Sequence, residues 1–352
     1  MGILRFLLAT CVLAGHAGHH VGFLTPYYAV QVFFVISGFY MSLIAEKYNG
    51  YPGLFYVNRY MRLVVSYWVV ALVTLITCIC FTTSSPPPLY VVDALKSSFP
   101  KSLMLVNLTI FGQDLVEFFN INGRPASGWL LVPQGWSLGA ELCFYILVPF
   151  LVGRRTQILM LIIIAAVVLR IAIITSDLPF FPWQQRFFPV EIAFFIIGLL
   201  SHRLYLVIGP YLRNAHGYIA LSIAAMITIF IGYWQWANAP CAIGSFLLAM
   251  IFFTLLPFLF FISKNSSFDR LIGEFSYPIY LWHIFVLSFI VAPGSSYQLV
   301  LFYSCMLSLP LIFFVEKPLE RWRQTRLLHI KKFGQIKPFG IKRLIFRSSM
   351  DL

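Results

Sequence analysis

Arg5 and His16 lie eleven residues apart in an apolar stretch. Eleven residues are close to three helical turns, so on a helix both side chains point to one face, about 16 Å apart along the axis. A histidine inside an apolar helix either bonds a neighbouring helix or does acid–base work. His19 and His20 follow at the end of the stretch, but no carboxylate or cysteine lies near them, so no metal site is expected. Arg59 and Arg62, at i and i+3, begin another apolar run. With Arg5 they make a cluster able to grip phosphate oxygens bidentately, or they are only the positive flank of a membrane span. Glu141 sits about eight residues into a fourth run, roughly 12 Å below the outer surface if that run spans a bilayer. His16 comes out about 10 Å below the same surface. The shared depth predicts a carboxylate beside the histidine, fixing its tautomer and raising its basicity. The alternative is a neutral Glu141 bonded to Ser137 or to a backbone carbonyl. Arg170 and Glu191 are intramembrane by position, at comparable depth, and are expected to pair structurally. His283, in the middle of its run, either polarises a carbonyl or bonds a neighbouring helix.

The elements that must position these groups are membrane spans. The chain has 352 residues, 60% hydrophobic and 11% charged, with a mean hydropathy of +0.85. A soluble fold of this length could not cover so much apolar surface, which excludes a soluble enzyme, a nucleic-acid binder and a disordered chain. Ten runs are of about the length that crosses a bilayer: 3–20, 25–45, 60–82, 133–152, 157–175, 188–207, 216–235, 241–262, 273–291 and 298–315. The expected fold is an all-α, polytopic transmembrane bundle. Of the 25 Lys and Arg residues, nineteen fall on one side and four on the other when the N-terminus is inside. That predicts a multi-pass protein with N-in and C-in. Arg5 ahead of an apolar stretch has the outline of a signal peptide. His16 interrupts the small residues Gly15–Gly18, however, and no A-x-A site follows, so a retained span is expected. The six cysteines all fall in apolar runs without a CxxC pair. Outside the spans, a long outer loop covers 83–132, and its amphipathic part, 99–119, either lies on the membrane or re-enters it. The spans form one domain, 1–320. The basic tail, 321–352, reads as a cytoplasmic anchor on membrane lipid with no nucleic-acid role. Trp129, Trp136, Trp183, Trp234 and Trp236 fall near outer ends, as interfacial aromatics do.

Several stretches recur in a set order. They are Arg5-x10-His16, Phe33-Phe34-Val35-Ile36-Ser37-Gly38-Phe39, Tyr56-x2-Arg59-x2-Arg62, Gly135-Trp136-Ser137-Leu138-Gly139-Ala140-Glu141-x2-Phe144-Tyr145, Tyr277-Pro278-Ile279-Tyr280-Leu281-Trp282-His283 and Glu316-Lys317-Pro318. In this order the chain resembles the acyltransferase family 3 integral-membrane proteins, which O-acylate bacterial surface glycans and related acceptors. The resemblance runs from residue 4 to about 320. It implies ten spans, His16 as the catalytic base with Arg5 as its motif partner, and Arg59 and Arg62 as donor-site arginines. It also implies cytoplasmic acyl-CoA as co-substrate, with no bound cofactor, and an acceptor hydroxyl on the outer side. The family's fourth-span motif often reads Val-Glu-Glu-Gln. Here Ala140-Glu141-Leu142-Cys143 keeps only the first carboxylate. The chain carries no appended hydrolase-like domain, so it is expected to complete transfer itself or to hand on to a partner.

The expected function is therefore O-acyl transfer. Acetyl would pass from acetyl-CoA, or another acyl group from its acyl-CoA, to a hydroxyl of a lipopolysaccharide O-antigen, an exopolysaccharide or a lipid-linked sugar. His16 would take the proton, directly or through an acyl-enzyme on His16, Ser37 or Ser137. Glu141, Ser37, Ser137, Tyr280 and His283 would support it. Two other readings use the same buried groups. One is a transporter, disfavoured by the lack of an inverted repeat. The other is an acyl-translocating subunit that needs a partner transferase. Acyl-CoA consumption by the purified protein separates the first of these from an enzyme, and a requirement for a second protein identifies the other.

Overall fold

The computed structural model describes residues 1–19, 24–48, 50–81, 101–121, 123–214, 222, 226 and 242–333. Helices dominate: α1 (Gly2–His16), α2 (Pro26–Ala45), α3 (Pro52–Phe81), α4 (Lys101–Thr109), α5 (Trp136–Leu151), α6 (Thr156–Thr175), α7 (Phe188–Ile208), α8 (Ala242–Ser263), α9 (Ser267–Glu274), α10 (Ser276–Phe289), α11 (Tyr297–Leu311) and α12 (Lys317–Phe333). The one strand pairing among the described residues is a two-residue ladder of Asn120–Ile121 with Arg124–Pro125. Among the described residues, six stretches are long and apolar enough to cross a membrane: Pro26–Tyr48, Pro52–Phe81, Thr156–Thr175, Phe188–Ile208, Ile243–Ser263 and Tyr297–His329. The protein is thus an all-α, multi-pass membrane bundle. The expected first, fourth and ninth spans correspond to α1, α5 and α10, which are apolar but shorter. The expected seventh, 216–235, lies outside the described residues apart from 222 and 226, as do 82–100 of the long loop and 334–352 of the tail.

Local chemistry sets the ends that matter. Thr25 caps α2, accepting from Tyr28 N, and Pro26 occupies the first turn, where a missing N–H costs nothing. The Asp269 carboxylate caps α1, accepting from Gly2 N at 2.6 Å and Ile3 N at 3.0 Å, with the terminal amine at 2.7 Å. Burial alone would raise this carboxyl, but these donors hold it below its ordinary value. α1, which carries both Arg5 and His16, is therefore pinned at its first turn.

α2 and α7 meet backbone to backbone. A Cβ on Gly38 would come within 1.9 Å of Phe195 O, and one on Gly198 within 1.9 Å of Val35 O. Small residues are what allow such an approach between membrane helices. A buried network ties four helices around this seam. Arg170 pairs with Glu191 at 2.9 Å and donates to the Tyr27 hydroxyl at 3.0 Å, and Ser245 donates to the same hydroxyl at 3.1 Å. Both charged side chains are 1% exposed. The pairing expected from depth is present, and breaking such a buried pair costs about 3–5 kcal/mol.

The segment after α4 re-enters the bundle. Trp68 Nε1 donates to Leu108 O at 2.7 Å, the Tyr60 and Phe111 rings stack at 6.0 Å, and Gln113 Nε2 donates to the Tyr67 hydroxyl at 2.7 Å. Tyr60 lies about 31 Å along α3 from its far end at Phe81. The chain turns back at Ile110 and Gly112, both at positive φ, and lays Asp114 against Gly139 of α5. Of the two expectations for 99–119, the structure takes re-entry.

Candidate active site

Two cavities lie end to end in the bundle. The larger, about 640 Å³, is lined by seven cations: Arg5 of α1, Lys47 beyond α2, Arg59 and Arg62 of α3, Arg270 of α9, and Lys317 and Arg323 of α12. It has three carboxylates, Glu274, Glu316 and Glu320. Lys317 pairs with Glu274 at 3.3 Å and Arg323 with Glu320 at 3.0 Å. Arg59 is only 4% exposed, yet its Nε and Nη1 are buried without a protein partner, as is Nε of Arg5. Arg59, Arg62 and Arg323 lie close enough for their charges to act on one another. Like charges held together in low dielectric are costly, and an anion between them relieves that cost. Gly273 keeps the wall thin: a Cβ there would sit 2.9 Å from Arg5 Nη2. A π turn at Ile312–Glu316, just after Pro310, delivers Glu316 to this wall. Such turns follow from a lost helical hydrogen bond and recur at functional sites.

Arg5, Arg62 and Tyr277 also line the smaller cavity, of about 110 Å³, and so stand between the two. Its walls carry Ser37, Ser137, Glu141, Tyr145 and Tyr280. Ser37 Oγ and Tyr145 OH each donate to Glu141 Oε1 at 2.6 Å. One turn along α5, Ser137 Oγ stands 2.6 Å from Tyr280 OH, which donates to Gln134 O at 2.8 Å. Tyr277, Tyr280 and His283 follow each other at i, i+3 and i+6 on α10. They form a ladder from the basic cavity outward, about 9 Å long.

His283 ends that ladder, 5.7 Å from the Tyr280 ring and 5.2 Å from the ring of His16, centroid to centroid. It is fully buried. Its Nδ1 stands 2.7 Å from Tyr280 O, and a carbonyl demands a donor, so Nδ1 carries the proton. Nε2 then presents a lone pair and has no protein partner. The neutral ring therefore has no donor left with which to polarise a carbonyl. Of the two expectations for His283, its bond goes to a backbone carbonyl, of its own helix rather than a neighbour. His16 is exposed beside it.

The structure brings Arg5, Arg59 and Arg62 together, and Ser37 with Glu141. It does not bring Glu141 to His16. The expected shared depth is not found: Glu141 lines the smaller cavity with Arg62 and Tyr277, its carboxylate taken by Ser37 and Tyr145, while His16 stands beside His283, about 9 Å farther along α10. Among the described residues no group of three or more His, Cys, Asp or Glu side chains could hold a metal ion. Two site residues escape a reading by spacing. Arg323 belongs to the basic tail by composition, yet α12 runs unbroken through residue 320 and buries it in the cation cavity. Arg186 reads as a loop charge, yet it is enclosed by aromatic rings. The aromatic run Phe180-Phe181-Pro182-Trp183 just before it was the available signal.

A helical bundle with membrane-length helices and two adjoining cavities, the larger of them lined by cations, defines an integral-membrane protein. The profile of the acyltransferase domain family, acyltransferase family 3, matches residues 1–316, and the chain belongs to that family. Exopolysaccharide production protein ExoZ of Rhizobium meliloti (strain 1021) is 26% identical over 311 residues, covering 80% of this chain and 82% of that protein. No solved structure matches the chain.

Proposed function

We propose that this acyltransferase is an O-acyltransferase of the bacterial inner membrane. It takes an acyl group, acetyl in the simplest case, from cytoplasmic acyl-CoA and transfers it to a hydroxyl of a surface glycan. The observation that carries the reading is the pair of cavities sharing Arg5, Arg62 and Tyr277. CoA is a polyanion on a long flexible arm, and the larger cavity offers guanidinium donors that have no protein partner. The nucleotide phosphates sit among Arg59, Arg62, Arg5 and Arg323, so that end of the bundle is cytoplasmic. The pantetheine arm threads past Tyr277 and along the Tyr280 ladder to His16. Arg5 and His16 are about 16 Å apart along α1, a span that a flexible arm covers.

At the far end His16 accepts the proton from the acceptor hydroxyl as its oxygen attacks the acyl carbon. The C–O bond forms, the C–S bond breaks, and the proton passes to the leaving thiolate. Glu141 acts one step earlier, holding Ser37 and Tyr145 where the arm passes. A second order is favoured by one contact: the hydrogen bond from Ser37 to Glu141 is that of a hydroxyl beside a base, and would allow an acyl-Ser37 intermediate. The acceptor is assigned by similarity to ExoZ, whose name concerns exopolysaccharide production. An exopolysaccharide or its lipid-linked sugar precursor is therefore preferred over a lipopolysaccharide O-antigen.

Purified protein given radiolabelled acetyl-CoA tests the reading. Thiol release and transfer of label to a glycan are expected. Label that crosses the membrane with its thioester intact would make the protein a transporter. Transfer only after adding a second protein would make it an acyl-translocating subunit. Label on a Ser37 peptide after a quench would select the two-step order.

A further inference from the structure

His283 commits one ring nitrogen to its own helix and leaves the other without a partner. Nδ1 donates to Tyr280 O at 2.7 Å, one turn back along α10. Nε2 is buried, on a fully buried side chain, and no protein group donates to it. A lone pair shut away from bulk water is costly unless something donates to it. The ring beside it is that of His16, 5.2 Å away between centroids and inclined at 50°. At that separation two facing ring nitrogens come within about 3 Å of each other, a hydrogen-bond length. The helices hold the two rings at this level. Leu13, one turn before His16 on α1, and Ile279 and Val286, a turn to either side of His283 on α10, belong to one buried cluster. His16 ends α1 and is exposed, so its ring has room to turn. His283 is locked by Tyr280 O and by burial. The carboxylate that residue counting placed beside His16 is engaged elsewhere, since Glu141 accepts from Ser37 and Tyr145.

We propose that His283 is a positioning residue for acyl transfer: its Nε2 accepts a hydrogen bond from one ring nitrogen of His16 and so turns the other toward the acceptor hydroxyl. The inference rests on transfer at His16 as described above. A histidine base needs one nitrogen with its lone pair on the reacting proton, and the partner of the other nitrogen decides which one that is. Here the partner is a neutral imidazole. Once His16 takes the proton of the acceptor hydroxyl, both its nitrogens carry hydrogen, and the one facing Nε2 stays bonded. The positive charge is then supported by a chain of two hydrogen bonds, from His16 N–H to Nε2 and from Nδ1–H to Tyr280 O, in which each polarises the other. No proton moves along the chain, because only a backbone carbonyl lies beyond Nδ1. The proton that His16 gained passes to the leaving thiolate.

Asparagine and glutamine separate this role from a purely structural one. The amide of Asn reaches the place of Nδ1, and that of Gln the place of Nε2. His283→Asn therefore keeps a donor for Tyr280 O and loses the acceptor facing His16. His283→Gln keeps an acceptor there and loses the bond to Tyr280 O. The measurement is the initial rate of thiol release from acetyl-CoA by the purified, detergent-solubilised full chain supplied with exopolysaccharide. Gel filtration and thermal unfolding check the fold of each variant. Wild type must release thiol and His16→Ala must not; otherwise the transfer reading fails and takes this inference with it. With that condition met, His283→Asn lowers the maximal rate about 10- to 100-fold at unchanged KM for acetyl-CoA, the usual cost of removing the outer partner of a working histidine, and His283→Gln stays within about fivefold of wild type. A ring that only bonds its own helix gives the reverse order, Asn active and Gln impaired, and that order overturns the proposal. Equal losses in both folded variants, or a raised KM in His283→Asn with its maximal rate intact, overturn it too. If one variant does not accumulate folded, the other decides: a wild-type rate in His283→Asn, or a loss of about tenfold or more in His283→Gln, is enough against it.

Discussion

The two ends of the Tyr277–Tyr280–His283 ladder are built on opposite plans. At one end, seven cations line a cavity of about 640 Å³ with three carboxylates among them, and buried guanidinium donors are left without a protein partner. At the other, His283 is fixed by a backbone carbonyl, and Arg186 by a carboxylate and two rings. The first plan leaves interactions to be completed by something that arrives and departs. The second anchors each group by contacts within the protein, although His283 Nε2 and Arg186 Nε have no partner there either. Binding and chemistry thus ask for different economies of hydrogen bonding: an exchangeable polyanion needs unspent donors, and a proton acceptor needs a fixed orientation and potential. The basic cavity should therefore govern KM, and the histidine end should govern the maximal rate and its pH dependence.

The largest effect that sharpens this contrast is expected at the histidine end. His16→Ala should lower acyl transfer by about 10²- to 10⁴-fold or more, with membrane insertion and abundance unchanged, as read by thiol release and by immunoblot of membranes. Glu141→Gln should lower the maximal rate by roughly 10²-fold. Because its carboxylate meets Ser37 and Tyr145 and not His16, the acidic limb should stay where it is in wild type. A limb that moves with Glu141→Gln would restore a direct His16–Glu141 dyad and erase the separation drawn here. At the basic end, Arg59→Lys and Arg62→Lys keep the charge but lose the planar fork. Each should raise the KM for acetyl-CoA about tenfold with little change in maximal rate, a split read from initial rates. The smallest effect is expected for Arg323→Gln, a rise in KM of about threefold that shrinks as salt screens the cavity. Equal effects on rate and KM at both ends would break the contrast.

Reading by spacing reached the parts of the site that depend on position along a helix axis. The rise per residue set Arg5 and His16 near opposite ends of α1, put Arg170 level with Glu191, and put Arg59 and Arg62 one turn apart beside Arg5. It could not reach what depends on how the helices are offset along their axes or on which helix stands next. Glu141 and His16 come out level by counting, but the Glu141 carboxylate meets Ser37 and Tyr145 beside Tyr277, while His16 meets His283, about 9 Å farther along α10. The extent of α3 was underestimated because Pro52 to Asn58 are less apolar than the span that follows, although they continue the same helix. Arg323 and Arg186 were missed for a common reason. Both lie in segments whose composition reads as solvent-facing, and both are buried by tertiary packing that composition does not carry. The re-entrant segment left two possibilities open, because an amphipathic pattern fits a membrane surface and a groove between helices equally well. The Tyr60–Phe111 stack and the Gln113–Tyr67 hydrogen bond decide between them.

The central claim is that acyl groups enter at the cation cavity on the cytoplasmic side and leave the donor at His16. Sealed membrane vesicles of both orientations, carrying either wild type or His16→Ala, test it with radiolabelled acetyl-CoA that cannot cross the bilayer. Wild-type vesicles with the cytoplasmic face outward should transfer label to glycan, right-side-out vesicles should not, and His16→Ala should be inactive in both. Transfer in right-side-out vesicles, or near-normal transfer by His16→Ala in the inverted ones, would contradict the account.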